Sequence, residues 1–352
     1  MSQPIPSVIF HPQAARLVLE AGETLLGAAQ RAGLRVPHSC RGGQCGSCRM
    51  VLREGEVEYP RYRGATPPGL LGETPDLPAG TVEVLACQAV PRGQVTVEVR
   101  ELRRAGEIEV RKLPCRVARR EELAPGVVGL WLRLPAAEPL RFHAGQYVNL
   151  LLGDGRSRSF SVAAPPHAGS TLEIHVRESP SMAASGVLGR VREGTLLTVE
   201  GPFGELGAGI DTSTAGDGPV VLVAGGTGYA PMQCLLQEWL ESGSARPVHL
   251  YWGVRSAADL YRDAWLRQRV ARFPQFSYVP VLSDPAADDG PAWRRGWVHA
   301  AVETDWLGLS GTGTPDVVAA GPTVMVEALA AALARLQAAG HRVGRLTSDR
   351  YG

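Results

Sequence analysis

The chain has 352 residues, of which 44% are hydrophobic and 20% charged, and its formal net charge at pH 7 is +1. This length exceeds what a single hydrophobic core normally supports, so two or three domains are expected. The near-neutral charge gives no support to a role on nucleic acid or at a membrane surface.

The first ten residues predict a protein without a secretory signal. They contain Pro4 and Pro6 and lack both a basic and an apolar stretch. No uninterrupted apolar run approaches the length that crosses a bilayer. Six cysteines in a chain of this length are not typical of a disulfide scaffold, and a thiolate cluster fits a reducing compartment. We therefore expect a cytoplasmic protein.

Four cysteines predict a metal site. Cys40, Cys45 and Cys48 have the spacing Cys-x4-Cys-x2-Cys in a glycine-rich loop, and Cys87 follows much later. This is the plant-type ferredoxin pattern for a [2Fe–2S] cluster. A structural zinc site is the main alternative, but such sites favour paired Cys-x2-Cys hooks, of which one is present here.

Short strands and a helix are predicted around this loop. The helix covers 24–32, where apolar side chains recur until Gly33. A stretch rich in Pro and Gly, 64–80, is predicted to be a surface loop. The strands are predicted from short alternating or β-branched runs at 7–10, 16–20, 50–52, 57–59, 81–86 and 95–99.

The loop from Pro37 to Cys48, with Cys87 and Gln88, resembles the ferredoxin domain in the reductase components of bacterial oxygenases. The resemblance implies a β-grasp ferredoxin domain of the α+β class over residues 1–104, and it assigns the four cysteines as the cluster ligands. Residues 105–113 lie in a charged segment and are predicted to be a linker.

Residues 114–208 are predicted to form an antiparallel β-barrel. Strand-like runs separated by turn residues recur at the spacing typical of such barrels. The runs are 115–118, 127–134, 147–152, 158–163, 172–176 and 196–200.

The tetrapeptide at 158–161 resembles the Arg-x-Tyr-Ser flavin motif of the ferredoxin reductase family, with Phe160 in place of the tyrosine. The resemblance implies that Arg158 pairs with the flavin pyrophosphate, Phe160 packs on the isoalloxazine and Ser161 lies near its N5. Phe160 and Ser161 are thus the candidate catalytic residues, and Tyr147, shortly before them, is a further candidate cofactor contact.

A second flavin segment of that family, Gly-Gly-x-x-Ser, retains its serine here as Ser185 but neither glycine. The phosphate contacts near Ser185 are therefore in question. The family's Gly-Pro-x-Gly segment is present at 201–204. FAD is the favoured flavin, and FMN is the alternative.

Residues 217–352 are predicted to form a parallel α/β nucleotide-binding domain, because strands alternate with helices. Strand 220–224 leads through a turn into a helix that reaches about residue 241. Such a turn lets backbone N–H groups approach a pyrophosphate, although close packing of helix on strand would also require glycine. The turn consists of Gly225, Gly226, Thr227 and Gly228. Further elements are predicted at 248–254, 259–273, 276–282, 298–306, 317–320 and 324–339.

This turn is similar to the Gly-Gly-Thr-Gly-x-Ala-Pro segment of the reductase family. Gly321 and Pro322 match that family's Cys-Gly-Pro segment, with Ala320 in place of the cysteine that lies beside the nicotinamide. Arg255 could accommodate the 2′-phosphate of NADPH, whereas Asp259 could bind the ribose of NADH. A similar Tyr-Trp-Gly-x-Arg segment in NADH-using reductases favours NADH and leaves NADPH possible.

Three further residues are interpreted individually. In the resembled family a terminal aromatic side chain covers the flavin, which makes Tyr351 a candidate cofactor contact; a frayed tail is the alternative. Cys115 and Cys234 lie in apolar surroundings and are interpreted as core residues.

The order of the three segments resembles single-chain reductases that serve oxygenases. It implies that electrons pass from NADH through FAD and the [2Fe–2S] cluster to a partner, such as an aromatic-ring dioxygenase, a diiron monooxygenase or another redox protein that accepts single electrons. The alternatives are a redox sensor or electron adaptor without enzymatic activity, and a stand-alone flavin, ferric or quinone reductase.

Overall fold

The computed structural model describes residues 6–11, 15–32, 34–36, 42–43, 48–63, 65–67, 70, 81–99, 103–104, 108–138, 140–151, 157–178, 191–207, 218–285, 293–311 and 313–351. They fall into two compact units, one ending at Ile108 and the other running from Glu109 to Tyr351. Within these ranges, no helix is both long and apolar enough to cross a membrane.

The first unit is built on a mixed five-stranded sheet of order β2-β1-β8-β4-β6, in which β1 and β8 are parallel. Its elements are β1 (Ser7–His11), β2 (Ala15–Val18), α1 (Leu25–Arg31), β3 (Leu34–Arg35), β4 (Arg49–Glu54), β5 (Val57–Glu58), a 3-10 turn (Pro60–Tyr62), β6 (Glu83–Leu85), β7 (Val90–Pro91), β8 (Gln94–Glu98) and β9 (Arg103–Arg104).

Helix α1 confirms the predicted helix to within one residue at each end. The Thr24 hydroxyl accepts a hydrogen bond from the Gly27 N–H at 3.1 Å, which caps the first turn. Leu25, Leu26 and two alanines on its inner face join the core of the sheet. Burial of this apolar face, more than helix propensity, stabilises so short a helix.

The second unit begins with a six-stranded antiparallel sheet of order β13-β12-β15-β10-β11-β14. An isolated bridge between Val162 and Ile174 joins its two end strands. The strands are β10 (Arg111–Ala124), β11 (Val127–Arg133), β12 (Tyr147–Leu151), β13 (Ser157–Ser161), β14 (Thr171–Arg177) and β15 (Leu196–Phe203).

Strand β10 is much longer than the predicted strand at 115–118. It has 14 residues and begins at Arg111, inside the segment predicted to be a linker. Leu113, Cys115 and Val117 alternate with exposed residues, so one face is buried. The strand pairs with β15 along its first half and with β11 along its second. The consecutive arginines and glutamates in its second half lack the alternation of apolar and polar residues that predicts a strand, so the sequence did not indicate this part of β10.

The remainder of the second unit is a parallel sheet of order β19-β18-β17-β16-β20-β21 with helices on both faces. The last strand, β21, was not predicted; it pairs with β20 from Leu346 to Tyr351. The elements are β16 (Val220–Gly225), α2 (Tyr229–Glu241), β17 (Val248–Val254), α3 (Asp263–Arg272), β18 (Phe276–Leu282), β19 (Arg294–Arg295), α4 (Val298–Ser310), β20 (Asp316–Pro322), α5 (Thr323–Ala338) and β21 (Leu346–Tyr351).

Candidate redox site

Two of the four predicted cluster ligands can be located in the fold. Cys48 immediately precedes β4 and Cys87 follows β6, and both are buried. The Ala86 N–H donates to the Cys48 carbonyl at 3.0 Å, so the pairing of these strands brings the two cysteines to one end of the sheet. Cys40 and Cys45 lie outside the described residues.

Two tyrosines near these cysteines were not anticipated from the sequence. The Tyr62 hydroxyl donates to the Gly42 carbonyl at 2.5 Å, and Gly43, with a φ of 77°, has no room for a Cβ because the same hydroxyl would touch it. The Tyr59 hydroxyl accepts from the Leu85 N–H at 3.2 Å, two residues before Cys87. Burial raises the pKa of Tyr59, which keeps that hydroxyl neutral.

The predicted flavin residues lie on the hairpin of β12 and β13. Tyr147 is opposite Ser161 and is buried, and its ring packs 5.7 Å from that of Phe203. Phe160 packs against the core of the antiparallel sheet. The Arg158 guanidinium has one hydrogen bond to the described part of the chain, to the Ser157 carbonyl at 3.3 Å, and no carboxylate partner there. It is therefore available to an anion. Ser185 lies outside the described residues.

Ser161 meets the C-terminal strand. Its hydroxyl lies 3.0 Å from the hydroxyl of Tyr351, which is 190 residues away in the sequence. Burial, together with the charge of Asp349, raises the pKa of Tyr351, so this phenol stays protonated. Because Tyr351 also pairs with Pro322 in the parallel sheet, the frayed-tail alternative is wrong.

The glycine turn lies where β16 and β20 end side by side. A Cβ on Gly228 would collide with the Ala320 carbonyl oxygen, and a Cβ on Gly225 would lie 2.5 Å from the Met325 sulfur. A Cβ on Gly321 would lie 3.0 Å from the Gly225 Cα. Close packing of the chain around them thus requires these glycines. It buries Gly225 and Gly228 and leaves Gly226 and Thr227, in the middle of the turn, partly exposed. Met325 was not anticipated.

The turn also has a cationic neighbour. Gly226 has a φ of 53°, and a Cβ built there would lie 3.6 Å from the Arg177 guanidinium. Arg177 lies 3.6 Å from the Asp259 carboxylate. The other oxygen of that carboxylate accepts from the Ser256 N–H at 3.3 Å and caps a short helical turn. Asp259 is therefore engaged within the protein, whereas Arg255 is exposed.

Alternate residues of β14 contact one segment of the nucleotide-binding half. Glu173 accepts from Arg262 at 2.9 Å, and the Tyr261 hydroxyl lies 3.1 Å from His175 Nδ1. With the Arg177–Asp259 pair, these contacts form what we call the β14 seam: Glu173, His175, Arg177, Asp259, Tyr261 and Arg262.

Burial fixes the protonation states within the seam. His175 is buried, which lowers its pKa, although the hydrogen bond to Glu173 opposes the shift. Burial raises the pKa of Glu173, but hydrogen bonds and charge from His175 and Arg262 lower it by more, so the carboxylate is ionised. An ionised Glu173 can only accept hydrogen bonds, so the proton of the neutral imidazole is on His175 Nε2, which lies 2.9 Å from the carboxylate. His175 Nδ1 then accepts a hydrogen bond from the Tyr261 hydroxyl.

Comparison with known proteins shows which family the chain resembles. Three family models match: a 2Fe-2S iron-sulfur cluster binding domain at residues 9–92, an oxidoreductase FAD-binding domain at 114–207 and an oxidoreductase NAD-binding domain at 222–331. The reductase component DmpP of phenol 2-monooxygenase from Pseudomonas sp. strain CF600 is 32% identical over 91% of this chain and 90% of its own. The reductase subunit of an aromatic O-demethylase from Amycolatopsis sp. is 35% identical over 94% of this chain and 95% of its own.

The chain belongs to the family of iron–sulfur flavoprotein reductases.

A solved structure supports the same conclusion for the fold of the reductase. The cytochrome P450 reductase GcoB of Amycolatopsis is 31% identical and superposes with a TM-score of 0.74, covering 98% of this chain and 99% of its own. The prediction of an NAD(P)H-dependent iron–sulfur flavoprotein oxidoreductase is confirmed, as are its cofactors: a [2Fe–2S] cluster, FAD and NAD(H).

The residues that the structure describes in the reductase fit these cofactors. Arg158 offers a guanidinium without a carboxylate partner, as a pyrophosphate requires. The turn at 225–228 presents the partly exposed residues Gly226 and Thr227 at the carboxyl end of β16, beside the point where the strand order reverses. Cys48 and Cys87 supply two buried thiols at one end of a sheet.

Proposed function

We propose that the reductase takes a hydride from NADH and delivers electrons one at a time to an oxygenase component. The observation that carries the nicotinamide–flavin part is the contact between Ser161 and Tyr351. This contact joins the flavin hairpin to β21, the strand that pairs with Gly321 and Pro322 of β20. The proposed site is thus lined by residues from both halves of the second unit. The names of the relatives, reductases of phenol 2-monooxygenase and terephthalate 1,2-dioxygenase among them, support an oxygenase as the partner.

The chain supplies binding and orientation, and the cofactors supply the redox chemistry. When bound, a flavin accepts two electrons as a hydride and releases them singly, which suits a one-electron iron–sulfur carrier. Arg158 would hold the pyrophosphate, Phe160 would pack against the ring and Ser161 would donate a hydrogen bond near its N5. Tyr147 and Ser185 complete the proposed flavin contacts.

The nicotinamide cofactor would lie across the carboxyl edge of the parallel sheet. Gly225, Gly226, Thr227 and Gly228 would face its pyrophosphate, and Gly321 and Pro322 would lie beside its nicotinamide. Asp259 caps a short helical turn and pairs with Arg177, which argues against a role as ribose ligand, and Arg255 is compatible with NADPH. The Tyr-Trp-Gly-x-Arg segment still favours NADH.

The proposal includes the domain assignment made from the sequence. Residues 1–104 form the β-grasp ferredoxin domain, with Cys40, Cys45, Cys48 and Cys87 as ligands. Of the linker predicted at 105–113, the last three residues belong to β10. Residues 114–208 form the flavin barrel, for which the Val162–Ile174 bridge is support, and 217–352 form the nucleotide-binding domain. A thiolate-ligated cluster also favours the reducing cytoplasm as its location.

Anaerobic titration with NADH tests this function. We expect the visible absorbance of the flavin to bleach and the electron paramagnetic resonance signal of a reduced [2Fe–2S] cluster to appear in the same sample. NADPH at equal concentration is expected to act more slowly. A flavin that NADH leaves oxidised would contradict the proposal and favour the redox-sensor alternative.

A further inference from the structure

The tryptophans of the chain divide into two groups by their surroundings. All seven are described, and six are covered. Two are fully buried, with the indole N–H donating to a carbonyl. Four others carry an arginine guanidinium 4.1 to 5.8 Å from the ring centroid. The covered side chains are Trp131, Trp239, Trp252, Trp265, Trp293 and Trp306.

The seventh, Trp297, stands apart. It is 65% exposed, and its indole has neither a hydrogen bond nor a ring contact with the described parts of the chain. A single exposed apolar side chain is ordinary on a protein surface. The position of this one on the sheet is what gives it a function.

Trp297 is held at the carboxyl edge of the parallel sheet by both of its neighbours. The Gly296 N–H donates to the Leu282 carbonyl at 2.8 Å, which anchors the residue before Trp297 at the end of β18. Val298 packs on Gly253 near the end of β17, where a Cβ would lie 2.8 Å from the Val298 Cβ. Trp297 therefore lies beside the ends of β17 and β18, and Arg255 directly follows β17 in the chain.

The proposed nicotinamide site fixes which part of the cofactor reaches this edge. Tyr351 and Pro322 place the nicotinamide on the side of β20 and β21, and the glycine turn places the pyrophosphate at the end of β16. The adenosine must then extend the other way, across the ends of β17 and β18. Two strand spacings amount to about 10 Å, a span that the adenosine half can cover.

We propose that Trp297 is the stacking surface for the adenine ring of the nicotinamide cofactor, an inference that rests on the proposed function. An indole offers a broad π-face on which a base stacks without needing a particular hydrogen-bond pattern. Arg255, exposed at the end of β17, adds positive charge near the adenosine phosphate. Trp297 thus determines how tightly the adenosine half binds and leaves hydride transfer unaffected.

The test compares Trp297→Ala and Trp297→Phe with Leu307→Ala in the full-length protein loaded with its cofactors. Leu307 is 71% exposed on the same helix, α4, and lies ten residues further from the carboxyl edge. Two probes separate the halves of the cofactor. ADP-ribose lacks the nicotinamide, and its binding is measured by equilibrium dialysis. Reduced nicotinamide mononucleotide lacks the adenosine, and its rate of flavin reduction is measured anaerobically.

We expect Trp297→Ala to raise the dissociation constants of NADH and ADP-ribose by about 10-fold or more, the loss typical of a base that stacks on an aromatic ring. Trp297→Phe is expected to restore most of the affinity, and Leu307→Ala to match the unaltered protein. Flavin reduction by the mononucleotide is expected to be equal in all four proteins. Unchanged ADP-ribose binding in Trp297→Ala would overturn the proposal, as would an equal loss with the mononucleotide.

The two proposals fail in distinguishable ways. If NADH does not reduce the flavin of the unaltered protein, the proposed function is wrong, whereas the comparison of ADP-ribose binding still decides the role of Trp297.

Discussion

The two compact units differ in how far apart in the sequence the residues of their proposed cofactor sites lie. In the first, the proposed cluster ligands are four cysteines, three of them within nine residues, and a thiolate ligand is identified by its residue type alone. In the second, Ser161 and Tyr351 meet across 190 residues, and β14 reaches the segment at 259–262. There local patterns mark the separate segments, and the way in which these segments meet depends on packing between two halves of one unit.

The flavin–nicotinamide unit departs from the resembled family at two side chains that lie in packed surroundings. Ala320 replaces a cysteine, but its carbonyl still packs on Gly228, and the Met325 thioether lies beside Gly225. Phe160 lacks the hydroxyl of the usual tyrosine but packs against the sheet core. Both positions are thus packed within the protein despite the change of side chain.

The largest expected effect tests whether the two sites are independent. Cys87→Ala is expected to reduce the iron content from about two per chain to near zero, because one of the four ligands is lost. NADH should still bleach the flavin, since the second unit is intact. Iron analysis and anaerobic spectroscopy measure both. Cys115→Ala is the matched control: burial raises the pKa of that thiol to about 12, as expected of a core residue, and its loss should leave the iron in place. Failure of flavin reduction in Cys87→Ala would contradict the independence of the two sites.

Glu173→Gln tests the β14 seam. The substitution keeps the shape of the side chain and removes the charge that pairs with Arg262, so the free energy of unfolding of the second unit should fall by about 2 kcal/mol. Chemical denaturation of the protein loaded with its flavin measures the loss. Glu303→Gln breaks an exposed pair with Arg335 on the helical face of the same unit and should have no measurable effect. Equal stability of the two variants would show that the seam does not hold the halves together.

Ser161→Ala tests the contact between the flavin hairpin and the C-terminal strand. Loss of a donor aimed at the reacting ring is expected to slow flavin reduction by NADH about tenfold, with little change in NADH affinity. Stopped-flow measurement separates the rate from the affinity. Ser159→Ala, two residues away on the same strand, removes a hydroxyl that donates to Asn149 at 2.8 Å and is expected to leave the rate unchanged. A full rate in Ser161→Ala would remove this hydroxyl from the proposed mechanism.

The smallest expected effect concerns pH. His175 is neutral when folded because burial lowers its pKa, whereas in the unfolded chain it is protonated below about pH 6.5. The unfolded state therefore binds more protons as the pH falls from that value to the folded pKa, and the stability of the second unit decreases over this window. Above about pH 6.5 His175 is neutral in both the folded and the unfolded state, so it no longer contributes to the pH dependence of the unfolding free energy. His175→Gln is expected to flatten the slope between about pH 6.5 and 5, as measured by thermal unfolding; an unchanged slope would assign the acid sensitivity to other groups.

The sequence by itself determined the family, the three cofactors and the character of each segment. These follow from local signals: the cysteine spacing, the glycine turn after an apolar strand, and the alternation of strands and helices. Cys234 could likewise be assigned to the core, where its thiol donates to the Ala164 carbonyl at 3.1 Å and burial raises its pKa to about 12.

Only the tertiary structure decided how those segments meet. It placed Tyr351 in a strand beside Pro322, engaged Asp259 in a helix cap, and brought Glu173 and His175 of β14 to the segment at 259–262. It also left Trp297 uncovered at the sheet edge. Such contacts join residues far apart in the chain, and each depends on the strand register of two elements at once. A local pattern reports propensity and periodicity, whereas register and partner choice are fixed by the burial of whole faces.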